Sequence, residues 1–295
     1  MLIQEKIRQT KFTPAEEQVI HFLKNNIEHI HEFSIRIAAK KCYTYPSTLV
    51  RVAKKLGFSG WSALKQAYCE EVRYTEHNFK DVDANFPFTQ TDSLSTVAVK
   101  MSVLTTETIN DTLALLHHDQ LYKAVHMIEK ANIIRIFARN HNLILAQEFA
   151  LRMNRIGYQT YVSNLSGEHL YDAANTKPDS CALFITYSGE SQSLEKAASL
   201  LKAKNVPILL LTSIGNNSLS NYADCLLYLS TREKLYSKIG NFSVMTSIAH
   251  LLNILYAGCF SKNFQRNYQH LFAISLVADN RKSSVSLIKE TEEPS

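Results

Sequence analysis

The stretch Tyr187-Ser188-Gly189-Glu190-Ser191 follows the apolar run CALFIT (181–186) without a break. If that run is a strand and a helix follows, the loop offers free backbone N–H groups, a helix dipole and several hydroxyls to an anion. Gly189 lets the backbone approach closely. The chemistry that fits is the holding of a phosphate by the hydroxyls of Thr186, Ser188 and Ser191 and the backbone at Gly189, with Glu190 in the same loop. The plainer alternative is a hydroxyl-capped helix start with no ligand. A second stretch, YPSTLVRVAKKLGFSGW (45–61), carries Arg51, Lys54 and Lys55, with Lys65 just beyond, and no acid. A helix with that surface suits a polyanion; alone it reads equally well as a solvated face.

Nothing else in the chain offers reactive chemistry. No Ser/His/Asp or Cys/His set can be placed. Glu168-His169 is the sole acid–imidazole neighbour near the expected pocket mouth, and it reads as an exposed loop. No spacing suggests metal ligands, and no Walker or dinucleotide loop is present, so neither metal nor cofactor is expected. The five cysteines (Cys42, Cys69, Cys181, Cys225, Cys259) are scattered without a Cys-x-x-Cys pair. They fit reduced, mostly buried thiols.

The elements that must position these residues are legible from spacing. Thr13-Pro14-Ala15-Glu16 is a capping box with proline at the first helical position. Val19, Ile20, Leu23 and Ile27 follow at helical intervals. Short helices are predicted from Ser34 to Lys41 and from Pro46 to Leu56, with Gly57 as the stop, and another from Trp61 to about Arg73. In the Pro46 helix, Leu49, Val52, Ala53 and Leu56 make one apolar face. Ser47, Thr48, Arg51, Lys54 and Lys55 take the other, the layout of a recognition helix in a helix-turn-helix. Residues 77–93 read as an irregular linker, and two helices are expected between residues 94 and 130. Beyond Asn132, apolar runs at 133–137, 159–162, 181–186, 207–212 and 225–229 alternate with helical stretches. Runs buried on both faces imply a parallel, doubly wound sheet with ligands at the strands' carboxyl ends.

At 295 residues the chain has room for two domains. Of its 32 cations and 27 acids, residues 1–77 hold 12 and 8, and Arg36 to Cys69 holds seven cations and no acid. No apolar run approaches the ~18 residues of a membrane span, and the N-terminus lacks an apolar signal core. A cytoplasmic protein is therefore expected. The predicted organisation is 1–77 helical, 78–116 linker and connecting helix, 117–262 α/β, and 263–295 tail.

Two stretches resemble one family. Pro46-Ser47-Thr48-Leu49-Val50-Arg51 with Lys55-Leu56-Gly57-Phe58-Ser59-Gly60-Trp61 resembles the helix-turn-helix of RpiR/MurR-type bacterial transcriptional regulators. Thr186 to Ser191, Asn217 to Asp224 and Lys238 to Ser243 resemble the sugar isomerase (SIS) domain that such regulators carry, a five-stranded flavodoxin-like fold that binds phosphosugars. The resemblance implies a homodimer or homotetramer on a palindromic operator, answering to a sugar phosphate and catalysing nothing. It also implies that Ser47, Thr48 and Arg51 read bases while Lys54, Lys55 and Lys65 hold phosphates. Tyr45 stands where a small cap residue is usual and caps poorly, so either Thr44 or water caps the helix or Tyr45 is itself a further DNA contact. The family's Gly-x-Gly-x-Ser first loop is here Ala138-Arg139-Asn140-His141-Asn142. Asn140 tolerates the left-handed turn, Asn142 takes the place of the serine donor, and Arg139 adds a charge. The usual Ser-Arg pair of the last long helix is Val244-Met245. Two alternatives stay open: a SIS-fold sugar-phosphate isomerase with Glu168 or His169 as base, and a regulator that has lost its small ligand.

Overall fold

The computed structural model describes residues 3–26, 30, 33–77, 82–165, 167–279 and 281. The first part is helical: α1 (Ile3–Gln9), α2 (Pro14–Asn25), α3 (Ile35–Lys41), α4 (Pro46–Lys55) and α5 (Trp61–His77). Helix α1 lies ahead of the first predicted element. Its Ile3 and Ile7 are buried one turn apart, and the buried Glu71 of α5 accepts the N–H groups of Ile3 and Gln4, capping its start. No local signal announces this cap, because its acceptor lies in α5. The expected face of α4 is found. Leu49, Val52, Ala53 and Leu56 are buried in one cluster with Val19 and Leu23 of α2, Ala38 of α3 and Leu64 of α5. Burying a Leu or Val side chain contributes roughly 1.5–3 kcal/mol, so this shared core sets how α4 is presented. Gly57, at φ +87°, ends it in a conformation that glycine adopts without penalty.

The second part begins with α6 (Leu94–Ala114) and α7 (His118–Lys130) and continues as β1 (Ile133–Ala138), α8 (Asn142–Arg155), β2 (Thr160–Ser163), α9 (His169–Asn175), β3 (Ser180–Ile185), α10 (Gln192–Ala203), β4 (Ile208–Ser213), a 3-10 turn (Ser218–Asn221), β5 (Cys225–Leu229), α11 (Phe242–Lys262) and α12 (Phe264–Ala278). Among the described residues the strands form one parallel sheet in the order β2-β1-β3-β4-β5. Alternate side chains of the strands enter two cores. Ile134, Ile136, Leu183, Ile185, Leu209 and Leu211 face α8 and α11, whereas Phe137, Phe184 and Leu210 face α10. Strand order reverses between β1 and β3, the place where sheets of this kind open a crevice at their carboxyl ends.

Three sequence expectations need correction here. His169 is not in an exposed loop; it starts α9, is 2% exposed, and meets Phe137 edge-on at 6.3 Å. Burial, the largest cause, lowers its pKa. Second, α11 is by length and composition able to cross a membrane. Its Val244, Ile248, Leu251, Leu252, Leu255 and Cys259 are instead buried in the domain core. Third, α6 is more than a connector. Its Thr108 and Thr112 hydroxyls bond Ser243 and Ser247 of α11 at 2.9 and 2.8 Å, and its buried Asp111 accepts the Ser230 hydroxyl at 2.6 Å. A buried polar seam of this kind fixes one registry of two helices, because a shift leaves its groups unpaired. All five cysteines are free and buried, and burial pushes the thiols of Cys181 and Cys259 up to about 12.

Candidate DNA-binding surface and ligand cleft

Helices α3 and α4 are joined by Cys42-Tyr43-Thr44-Tyr45, with Tyr43 at φ +51° making the tight reversal. Tyr45 is the N-cap residue of α4 and gives no side-chain cap; its ring is 79% exposed and that of Tyr43 is 97% exposed. Two aromatic rings thus stand in solvent at the start of α4. Sequence reading singled out Tyr45 and left Tyr43 inside the turn, although its left-handed backbone was not predictable from residue type. Ser47, Arg51 and Lys54 are exposed on the outer face.

Other members of the predicted set lie elsewhere. Thr48 is a correction: it is 4% exposed, and its hydroxyl oxygen accepts the Thr44 O–H at 3.1 Å. It braces the turn and does not share the outer face. Lys55 is ion-paired with the buried carboxylate of Glu16 at 2.6 Å, tying the end of α4 to the start of α2. The Lys55 hydrogen bond is the largest cause of a lowered Glu16 pKa. Lys65 donates to the Phe33 carbonyl at 3.2 Å. No ion pair holds Arg51 or Lys54 among the described residues. We therefore expect Lys54→Ala to lower the slope of log K against log salt by about 0.9, one phosphate. Lys55→Ala should lower the melting temperature and move that slope less. Salt titrations of both variants on one duplex decide this, and equal slope changes would put both lysines on phosphates.

At the carboxyl ends of β1 and β3 lies a cleft of 460 Å³. One wall is the first loop, Arg139 to Asn142. Asn140 sits at φ +54°, so asparagine makes the turn without glycine. The Asn142 amide donates to the Ile185 carbonyl at 3.3 Å, tying the two loops together. The second wall is the hydroxyl loop. Thr186 Oγ1 accepts the Gly189 N–H at 3.3 Å, and Ser188 Oγ accepts the Glu190 N–H at 3.3 Å. Ser191 is the N-cap residue of α10, and Arg139 Nη1 reaches it at 3.2 Å and Ser193 at 3.4 Å. Gly189 is at φ +69°, and a Cβ there would lie 2.1 Å from the Asn217 side chain. The close approach that requires glycine is therefore by Asn217, itself bonded to Thr212 at 3.1 Å. Glu190 is turned aside: its carboxylate accepts the N–H and O–H of Ser218 at 3.1 and 2.6 Å.

The roof and far wall come from Leu235, Lys238, Asn241, Val244 and Met245. Tyr187 reaches under them, its hydroxyl donating to the Glu233 carbonyl at 2.6 Å. Glu233 is buried, pairs with Lys238 at 2.8 Å, and accepts the N–H groups of Ser243 and Val244 at the start of α11. Sequence reading gave Glu233 no role, because its partners arrive from a loop and a helix folded over it. Among the described residues the lining includes Arg139, His141 and Lys238 and no carboxylate. Such a lining attracts anions. Glu168 and His169 are not among the lining residues.

Comparison with known proteins follows the same division. Residues 1–73 match the helix-turn-helix domain of the rpiR family, and residues 127–257 match the SIS domain. The chain joins a helix-turn-helix domain of the rpiR family to a SIS domain. An uncharacterized HTH-type transcriptional regulator of Caldanaerobacter subterraneus subsp. tengcongensis is 23% identical over 273 residues, 92% of this chain and 95% of that one. Among solved structures, the Vibrio vulnificus NanR protein complexed with ManNAc-6P superposes with a TM-score of 0.58. It has 18% identity and covers 90% of this chain and 93% of its own. The sugar isomerase domain of the RpiR transcription factor from Sphaerobacter thermophilus gives a TM-score of 0.55 at 18% identity, covering 61% and 98%. The two matched domains fall on the helical unit and the parallel sheet described above.

Proposed function

We propose that this rpiR-type regulator binds operator DNA through α4 and controls genes of sugar or amino-sugar metabolism in response to a phosphosugar held in the β1/β3 cleft. The observation that carries the reading is the convergence of Arg139, Ser188 and Ser191 at the N-terminus of α10, in a cleft whose lining has no carboxylate among the described residues. An anion is favoured there by charge, by hydroxyl donors and by the helix dipole together. In the same chain, α4 presents Ser47, Arg51 and Lys54 outward with Tyr45 and Tyr43 at its leading end. The ManNAc-6P of the NanR complex makes acylated amino-sugar phosphates the first candidates.

In this reading residues 1–77 are the DNA-binding unit, 78–116 join it to the sensor, 117–262 form the sensor and 263–295 a tail. The protein works in the cytoplasm as a homodimer or homotetramer on a palindromic operator, since paired half-sites call for paired helices. It is a sensor and not an isomerase. The nominated bases, Glu168 and His169, stand outside the cleft lining, and an isomerase has no use for α4.

A thermal-shift screen against hexose, pentose, amino- and acetylamino-sugar phosphates tests the proposal. A ligand at one hundred times its Kd adds about 2.7 kcal/mol to the bound state, a shift of several degrees for a domain of this size. We expect a selective shift that Ser188→Ala removes while DNA binding stays within about twofold, as surface substitutions usually allow. A panel without any shift would mean that the altered first loop has closed the site to sugars, leaving a regulator driven by another signal.

A further inference from the structure

The segment just ahead of α6 reads in sequence as a free linker, yet it is fastened to the cleft. Asn85 accepts two main-chain N–H groups from the irregular loop between β5 and α11. Its side-chain Oδ1 takes Lys234 N–H at 2.7 Å and its carbonyl takes Ile239 N–H at 3.0 Å. Asp83 holds Asn85 in place, accepting its backbone N–H at 2.8 Å and its side-chain amide at 3.1 Å. Ala84 beside it is 4% exposed, and Phe88 packs on Phe242 with ring centroids 6.5 Å apart.

The loop so fastened is the roof of the ligand cleft. Leu235, Lys238 and Asn241 line the cleft itself. Tyr236, Ile239 and Gly240 line an adjoining 610 Å³ cavity that shares His141, Lys238, Asn241 and Met245 with it. The roof has no helix or strand of its own from residue 230 to 241. At its root Tyr187 of the hydroxyl loop bonds Glu233 through both N–H and carbonyl. One chain of contacts therefore runs from the hydroxyl loop through Tyr187 and Glu233 to the roof, and from the roof to Asn85.

We propose that Asn85 is a positioning residue that sets the roof of the cleft and, through it, couples ligand occupancy to the segment leading back to the DNA-binding helices. Its positional half stands on the hydrogen bonds alone; its regulatory half rests on the phosphosugar reading above. A ligand that orders the roof tightens the Asn85 contacts. Whatever state of the segment those contacts favour is then favoured by the ligand, and DNA binding alters ligand affinity by the same factor in return.

Amide hydrogen exchange on the full-length protein, wild type against Asn85→Ala, tests both halves, with inorganic phosphate and N-acetylmannosamine 6-phosphate as probes. In the absence of probe, the Lys234 amide should exchange about tenfold faster in Asn85→Ala, the worth of one lost hydrogen bond. An unchanged rate overturns the positional role. With probe, wild type should gain protection at residues 186–191, at 234–241 and at 84–92, and Asn85→Ala should gain it at 186–191 only. Protection of 186–191 in wild type that leaves 84–92 unmoved overturns the coupling while the ligand reading stands. If neither probe protects 186–191, the phosphosugar reading and the regulatory half fail together, and the probe-free rate at Lys234 still decides the positional role. The Ile239 N–H bonds the backbone carbonyl of residue 85, which Asn85→Ala keeps, so Ile239 exchange should stay slow in the variant, whereas a merely misfolded segment would speed both amides.

Discussion

Arg51→Ala should weaken binding to an operator selected from random duplexes by roughly 1–3 kcal/mol, the worth of a good side-chain contact to a base edge. That corresponds to about a tenfold to hundredfold rise in Kd at fixed salt. Arg51 stands on the solvent side of α4 one turn after Ser47, opposite the buried Leu49, Val52 and Ala53. Its guanidinium has the planar fork that matches guanine. The loss should fall on the selected site and spare random DNA; equal losses on both would make Arg51 a phosphate contact. Thr48→Ala is the informative companion. Because Thr48 is buried beneath the turn and bonded to Thr44, its removal should loosen the turn and weaken both kinds of DNA alike. A Thr48 effect confined to particular base pairs would return it to the reading face.

The second large effect is on stability. Glu233→Ala should destabilise the sheet domain by about 3–5 kcal/mol, the cost of breaking a buried pair and stranding its partner. Glu233 and Lys238 have side-chain exposures of 0% and 9%, and the same carboxylate caps the first turn of α11. At ~2–4 °C per kcal/mol for a domain of this size, the melting temperature should fall by about 10 °C. Glu233→Gln, which keeps an acceptor for the α11 amides, should cost less. The pair Lys100–Asp92, at 2.7 Å and with side-chain exposures of 35% and 15%, provides the contrast, since Lys100→Ala should cost much less. Calorimetry of the three variants checks the order, and a Glu233→Ala loss as small as that of Lys100→Ala would mean that solvent already reaches the buried carboxylate.

These two sites also divide what can be read from sequence from what cannot. The sequence by itself determined the capping box at Thr13, the apolar face of α4 and the five apolar strands, because each is carried by a local pattern of neighbouring residues. It also determined the hydroxyl loop after β3, since small residues between an apolar run and a helix leave few other conformations. What only the tertiary structure decided is which polar groups remain available. Lys54 and Lys55 are neighbours of identical type, yet among the described residues one has no ion pair and the other pairs with Glu16, thirty-nine residues away. Thr48 carries the same hydroxyl-bearing signature as Ser47, but a helix turns each residue by a hundred degrees, and this one faces Thr44. Glu233, Asn85 and Glu71 are unremarkable in sequence; each becomes structural only when distant backbone N–H groups are folded against it. Periodicity encodes which face is buried. The partner of a polar side chain is set by long-range packing, and no local pattern contains it.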